Sequence, residues 1–392
     1  MSGARPEVVY ALPNKLGGVF SYVANLLSHR QPDGFSYAAV RTENANEVDR
    51  TIDEPLEADR DVRFTYRLPN ENLHAVLRRL ARTIPYGPGV VVANDWIELA
   101  LTSVHDTGRA VFAINHGDFD FYYDLAVRHQ DTIDAFVTYT ERMARRLREL
   151  LPQRTESIFL LPYGVDIPAA VRHPAPGKLR LLYVGRLSAD KGVFDLPLID
   201  RRLRELGVDP AWTVQGAGPD GEKLRDAWAD RTDIQWSGQR DKADVLRSYV
   251  NHDVLVMPSR AEGLPVALLE AGASGVVPVV SDLPSGIPDV VEAGVSGYRP
   301  GVGDIGAFAD AIAAIDRDRI LLEQLSGAVR HVVATRFDAT ERTVGYQRLF
   351  ARWQELRRPR PVRPRLFYGS RLDQPWLPNA MVRLIRSKWR RA

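Results

Sequence analysis

The sequence predicts an α/β protein built from two doubly wound domains, each a parallel sheet with helices on both faces. Short apolar runs alternate with segments of helical periodicity, and the series occurs twice; parallel strands require crossovers of that kind. A Pro/Gly-rich break, Pro162-Tyr-Gly-Val-Asp-Ile-Pro168 and then His173-Pro-Ala-Pro-Gly177, separates the two series and reads as a hinge. The 392 residues suit about two domains of roughly 150 residues, each large enough for its own core. The expected layout is a first domain over 1–165 and a second over 166–337. A helix over 338–357 returns towards the first domain, and a basic tail occupies 358–392.

Glu7–Leu12 is the first strand run. The helix after it carries Val19, Tyr22, Val23, Leu26 and Leu27 at the spacing of one buried face. Further strands are expected at Phe35–Val40, Gly89–Ala93, Ala110–Ile114, Asp134–Val137 and Ser157–Leu161. Helices are expected over Asn70–Arg82, Trp96–His105, Phe119–His129 and Glu141–Leu151. In the second half the strands are Arg180–Val184, Trp212–Gln215, Asp233–Trp236, Val254–Met257 and Val277–Val280. Helices begin near Val193, Asp220, Lys242, Leu264, Ser285, Asp304, Arg317 and Asp338.

With no cysteine in the chain, disulfides, thiolate metal sites and cysteine nucleophiles are excluded. The amino terminus offers no apolar core of about 7–15 residues for a signal peptide. No stretch approaches the ~18 apolar residues of a membrane span, so a cytoplasmic protein is expected. The net charge of +2 conceals an imbalance. Ala351 to Arg391 holds twelve Arg or Lys against Glu355 and Asp373, a balance of +10, which leaves −8 for the rest.

The most informative segment is Pro258-Ser-Arg-Ala-Glu-Gly-Leu-Pro-Val-Ala-Leu-Leu-Glu270. Glu262 falls in the loop beyond a strand's carboxyl end, and Glu270 on the helix that follows, with Pro265 at its first position. That end of an open α/β sheet is where ligands bind. One acid can therefore face a reacting group while the other holds a distant polar part of the same ligand; the alternative is two solvated acids. Gly17 and Gly18 join the first strand to a helix whose free N–H groups favour an anion, although such glycines also occur for geometry alone. Arg186 and Lys191 flank the corresponding turn of the second half. There they could neutralise a diphosphate or be ordinary surface cations.

Gly216-Ala-Gly-Pro-Asp-Gly221 satisfies the dinucleotide fingerprint only formally, because Asp233 starts the next strand instead of ending it. Asp118-Phe-Asp120 has the spacing of a metal-binding acid pair, but two basic residues already answer a phosphate charge, so no metal is expected. His116, just past a strand end, is either structural or part of the crevice.

Together these loops resemble a retaining glycosyltransferase of family 4, with the two-domain GT-B fold. The resemblance runs to about Arg357 and is strongest from Leu181 to Gly303. Gly185-Arg186…Lys191-Gly192, the Glu262-x7-Glu270 segment, and Ser285-Gly-Ile-Pro-Asp289…Gly294-Val-Ser-Gly297 follow the family's order. Ser285-Gly286 replaces a more usual glycine pair, and Asp289 stands where glutamate is common. The resemblance implies that Gly17 and Gly18 approach the donor's phosphates, and that Arg186 and Lys191 bind its diphosphate. By the same resemblance Glu262 contacts the donor sugar and Glu270 the ribose hydroxyls, while Gly263, Leu264 and Pro265 add backbone donors. Gly216 and Gly238, Gln239 and Arg240 fall on the donor side, and His116 matches the family's cleft histidine.

The implied activity is transfer of a sugar from a UDP- or GDP-linked donor to a glycan or lipid-linked acceptor in polysaccharide, envelope or glycolipid synthesis. The implied configuration is retained, and no cofactor is needed. The alternative is a sugar-nucleotide-binding partner protein without transferase activity.

Beyond Arg357, Arg358-Pro-Arg-Pro-Val-Arg-Pro-Arg365 is too proline-rich for a helix. Trp376–Arg391 reads as an amphipathic helix with Leu377, Met381, Leu384, Ile385 and Trp389 on one stripe. Arg383, Arg386, Lys388, Arg390 and Arg391 lie elsewhere around it. Such a helix suits an anionic membrane surface, making the protein peripheral at the inner membrane face, or it packs on the acidic body. Nucleic acid is not expected as a partner.

Overall fold

The computed structural model describes residues 5–15, 17–47, 51–361 and 366–389. It divides into two compact units: residues 1–139, 143–163 and 342–392, and residues 140–142 with 164–341. The first holds strands β1 (Glu7–Pro13), β2 (Ser36–Asn44), β3 (Arg60–Tyr66), β4 (Gly89–Ala93), β5 (Ala110–Ile114), β6 (Ala135–Thr138) and β7 (Ile158–Leu160). The second holds β8 (Arg180–Val184), β9 (Ala211–Gln215), β10 (Gln235–Gly238), β11 (Val254–Met257) and β12 (Val277–Val280).

Both sheets are parallel, with orders β3-β2-β1-β4-β5-β6-β7 and β10-β9-β8-β11-β12. In each, the first strand has neighbours reached by connections leaving in opposite directions. The switch points therefore lie between β1 and β4 and between β8 and β11, and the crevice at their carboxyl ends is the ligand position of this architecture. The strands β4, β5, β11 and β12 are buried throughout, as expected for strands covered on both faces.

Several sequence expectations differ from the structure. The strand β3 was not anticipated, because Arg60-Asp-Val-Arg-Phe-Thr-Tyr66 buries only Phe64 and Tyr66 and lies at the sheet edge, where charged residues are tolerated. Where Asp233–Trp236 was expected, β10 runs Gln235–Gly238. No helix forms near Ser285; only a single turn of 3₁₀ helix, Ile287–Asp289, appears, with Pro288 at its start. Pro265 is extended and caps the helix Val266–Ala273 instead of opening it.

The second unit closes around one apolar cluster that includes Leu181, Tyr183, Leu196, Trp212, Val256, Phe308 and Ile312. In the first unit the chain returns late: Tyr346 and Phe350, on the helix Ala339–Ala351, pack against Tyr22, Tyr10 and Phe112. The tail then runs over the same unit. Arg360 pairs with buried Asp134, and Tyr368 stacks on His129. Asn72 bonds the carbonyls of Gln374 and Leu377.

The final helix is described over Asn379–Trp389 and begins three residues after the expected Trp376, because Pro378 precedes its first turn. Arg390 and Arg391 lie outside the described residues, as do residues 362–365. The apolar stripe also divides. Leu377 precedes the helix and is buried with Val382, whereas Met381 and Leu384 are exposed.

Asp253, at the start of β11, ties the second unit's amino-terminal approach to its sheet. It accepts from Arg172 at 2.8 Å, from Arg180 Nε at 2.9 Å and Nη2 at 2.7 Å, and from the Arg180 backbone N–H at 2.9 Å. Burial raises its pKa, but these donors outweigh burial and hold the carboxyl below its ordinary value. Its contribution to stability is therefore present above that ordinary value and is lost as pH falls through the depressed one. Asp253→Ala leaves buried Arg172 without this partner. It is expected to cost about 3–5 kcal/mol, read as a lower urea midpoint at pH 7, with the wild-type advantage disappearing in acid.

Candidate functional site

Two loops meet at the β8/β11 switch point. The loop after β8 carries Arg186 and Lys191 and ends at Gly192, whose φ is +66°. A Cβ there would lie 1.8 Å from the Pro258 carbonyl oxygen, so only glycine lets this loop lie against the one after β11. Arg260 completes the junction. Its backbone N–H donates to Asp190 at 2.9 Å, and its guanidinium grips Asp195 through both oxygens at 2.6 and 2.8 Å. A paired fork of this kind holds geometry as well as charge.

The consequence is that Lys191 Nζ lies 2.9 Å from Glu262 Oε1, which also accepts from Ser259 Oγ at 2.8 Å. Arg186 is exposed along its side chain and bonds Ser188 at 3.1 Å and Asp190 at 3.0 Å. The Ser188 hydroxyl, then Arg186, lower the Asp190 carboxyl. Both cations assigned to a diphosphate thus stand beside an acid.

A concavity of about 250 Å³ adjoins Arg186, lined by Val184, Gly185, Gln215, Gly216, Ala217, Gly238, Gln239, Arg240 and Val245. Gly216 shapes it: a Cβ would come within 1.8 Å of the Gly185 carbonyl. The backbone N–H of Gly216 donates to Gly238 at 2.8 Å. Glu270, on the helix Val266–Ala273, accepts from Tyr249 Oη at 3.3 Å. Burial pushes its carboxyl up to about 7, against the pull of Lys242 and the Tyr249 bond. Gly263 offers its carbonyl to the Gly286 N–H at 2.7 Å. Pro265 has no N–H, so the expectation of a backbone donor at that position is corrected: it shapes the turn only.

In the first unit, Gly17 and Gly18 are exposed at the end of β1. Gly17 is the cap of the helix Gly18–Ser28, which has no side-chain cap bond. His116 follows β5, with Nε2 2.8 Å from Asn94 Oδ1 and Nδ1 2.6 Å from Tyr139 Oη. Asn94 Nδ2 donates to the Ala11 and Val92 carbonyls, so its oxygen must accept. His116 therefore carries its proton on Nε2 and accepts at Nδ1 from the tyrosine. Burial lowers its pKa to about 3, leaving a neutral, oriented imidazole.

Asp118 and Asp120 both pair with Arg146, at 3.5 and 2.5 Å, so a guanidinium stands where that acid pair would hold an ion. Among the described residues no group of three or more His, Cys, Asp or Glu could hold a metal.

Several residues at these sites were not singled out from the sequence. Ser259 lies inside the segment already chosen, three positions before Glu262, and that proximity was a usable signal. Asp195, Tyr249 and Glu98 had none, since each is defined by a distant partner. Glu98 is fully buried, accepts from Thr42 at 3.1 Å, and is pushed up to about 8 by burial and then by Asp95.

Residues 170–332 match the family profile described as Glycosyl transferases group 1. The chain is 26% identical over 310 residues to the glycogen synthase of Mycobacterium tuberculosis, covering 74% of this chain and 75% of that protein. It is 33% identical over 197 residues to the putative colanic acid biosynthesis glycosyltransferase WcaL of Escherichia coli K12, covering 47% of this chain and 48% of that protein. Anabaena Alr3699/HepE in complex with UDP superimposes with a TM-score of 0.70 at 16% identity, over 88% of this chain and 99% of that one. Sucrose-phosphate synthase from Thermosynechococcus elongatus gives 0.70 at 16%, over 89% and 99%. The two structural likenesses show the two-domain GT-B fold, and residues 170–332 are similar to the glycosyl transferases of group 1.

Proposed function

We propose that this protein transfers a sugar from a nucleoside-diphosphate donor to a glycan or lipid-linked acceptor, with the anomeric configuration retained. The observation that carries this reading is the convergence of Arg186, Lys191 and Glu262 at the β8/β11 switch point, beside a concavity large enough for part of a nucleotide. Glu270 would bond the ribose hydroxyls and Glu262 the sugar, while the Gly238–Arg240 backbone borders the base. HepE was solved with UDP and with UDP-glucose, so uridine donors head a donor screen. WcaL and the amylovoran glycosyltransferase AmsK are named for polysaccharide synthesis, which supports a role of that kind here.

In the reaction, the bond between the anomeric carbon and the β-phosphate oxygen breaks, and its electron pair stays on that oxygen. Positive character develops on the sugar ring. Arg186 and Lys191 would stabilise the departing diphosphate by fixed charge. The acceptor hydroxyl enters on the face the phosphate leaves, and its proton passes to the phosphate oxygen, so the enzyme needs no covalent nucleophile. Lys191 must serve both Glu262 and the diphosphate, coupling sugar placement to leaving-group charge. The neutral His116 suits orientation by hydrogen bonding more than proton transfer. Divalent metal has no role in this scheme, since the two side-chain cations answer the diphosphate.

Arg186→Ala is expected to lower turnover by about 10²–10³-fold while the melting temperature holds; turnover equal to wild type would remove the assignment. Inverted product in anomeric NMR would overturn retention, and failure to transfer from any uridine, guanosine or adenosine donor would favour a binding protein. Asp195→Ala loosens the fork that aligns the two loops and should cost roughly 10²-fold in kcat/KM through misplacement, read in steady-state kinetics.

Glu270 must be ionised to accept two ribose hydroxyls. With its value near 7, donor affinity should be about tenfold weaker at pH 6 than at pH 8, and Glu270→Gln should flatten that profile in titration calorimetry. The raised value means that the folded chain holds this proton more tightly than the unfolded chain. Ligand-free stability from this group therefore declines as pH rises from the ordinary carboxylate range through 7, and Glu270→Gln should remove the decline.

A further inference from the structure

The helix Asn379–Trp389 has an inner edge that is fully engaged and an outer edge that is not. On the inner edge Val382 is buried, and Asn379 bonds the Asn72 N–H at 2.8 Å. Arg386 donates to the carbonyls of Pro69 and Glu71 and to Asp373 at 2.5–2.7 Å. Arg386 is thus a structural cation that pins the helix to its own unit. On the outer edge Met381 and Leu384 lie one turn apart, 52% and 59% exposed, and Trp376 just before the helix is 75% exposed. Arg371, Arg383 and Lys388 are exposed in the same segment.

We propose that this outer face docks on an anionic lipid bilayer. Trp376, Met381 and Leu384 would enter the boundary between headgroups and acyl chains, and Arg371, Arg383 and Lys388 would meet acidic headgroups. The mixture is the one an interfacial segment requires: two apolar side chains one turn apart on the helix with exposed cations in the same segment, and a tryptophan suited to headgroup depth. The helix has eleven residues, and no helix among the described residues is long and apolar enough to cross a membrane, so the mode is lying on the surface.

Charge separation orients it. The sequence from Ala351 to Arg391 carries +10 and the remainder −8, so an anionic surface attracts this stretch of the chain more than the rest, and Arg371, Arg383 and Lys388 are among its exposed cations. A protein partner is disfavoured by area. The largest of the three side chains offers roughly 150–250 Å², and the set falls short of the ~800 Å² per partner of a specific interface. A bilayer needs no such area, because mobile acidic lipids gather beneath the cations. Since Val382 and Arg386 stay engaged, the helix docks already folded on its unit.

The test is sedimentation of the full chain with vesicles of phosphatidylcholine alone or with one third phosphatidylglycerol, at low and high salt. The proposal expects binding only to the anionic vesicles, weakened by salt, and at least tenfold weaker for Met381→Glu/Leu384→Glu. Both positions are exposed, so the double variant should melt with the wild type and keep its donor hydrolysis. The proposal is overturned by equal binding of wild type and double variant, by equal binding to both vesicle types, or by no binding. It is also overturned by a vesicle-free dimer in sedimentation velocity that the double variant abolishes, since a second copy then covers the face. None of these outcomes bears on the sugar-transfer reading, which donor kinetics decide.

Discussion

The candidate site of this protein depends on how closely two backbone segments approach at the middle of the second sheet. Parallel order places β8 beside β11 although two strands intervene in the chain. Their following loops are then forced over the same crevice. Gly192 against the Pro258 carbonyl allows contact without a side chain between them, and the Arg260–Asp195 fork fixes their separation. Lys191 reaches Glu262 only because this junction is made. A charged pair on two independent loops would wander; here both loops are held from below by main-chain packing.

That arrangement also sets the electrostatics. Each cation lies beside an acid, Lys191 beside Glu262 and Arg186 beside Asp190, so the site tolerates two positive groups side by side. Under the proposed sugar transfer, an incoming diphosphate would compete with these carboxylates instead of filling an uncompensated positive hole. Glu270 is the counterpart, a carboxyl in surroundings that favour its neutral form. Burial therefore brings its ionisation to about pH 7, in a range where ordinary carboxylates are already charged.

The tail shows the same economy of contacts at the other end of the chain. It is basic overall, yet its cations have divided tasks. Arg360 and Arg386 satisfy Asp134 and Asp373 within the first unit, whereas Arg383 and Lys388 stay exposed. One helix edge is thus packed on its own unit, while the other stays exposed.

Most of the architecture was legible in periodicity alone, because fully buried parallel strands such as Gly89–Ala93 and Val254–Met257 are unbroken apolar runs. The edge strand Arg60–Tyr66 escaped, since half of it faces solvent and its charges hide the alternation. The Glu262-x7-Glu270 segment and the loop carrying Arg186 and Lys191 were visible as residues at strand ends, and local turn chemistry places them there without reference to the rest of the chain. What the sequence determined by itself was the set of buried strands, their crossovers and the kinds of charge at each strand end, all of which depend on neighbours a few positions away. Only the tertiary structure decided that Lys191 pairs with Glu262, that Asp195 grips Arg260, that His116 is oriented by Asn94 and Tyr139 and kept neutral by burial, and that Val382 turns inward while Leu384 does not. Those are contacts between residues brought together by sheet order and burial, and no spacing along the chain encodes them.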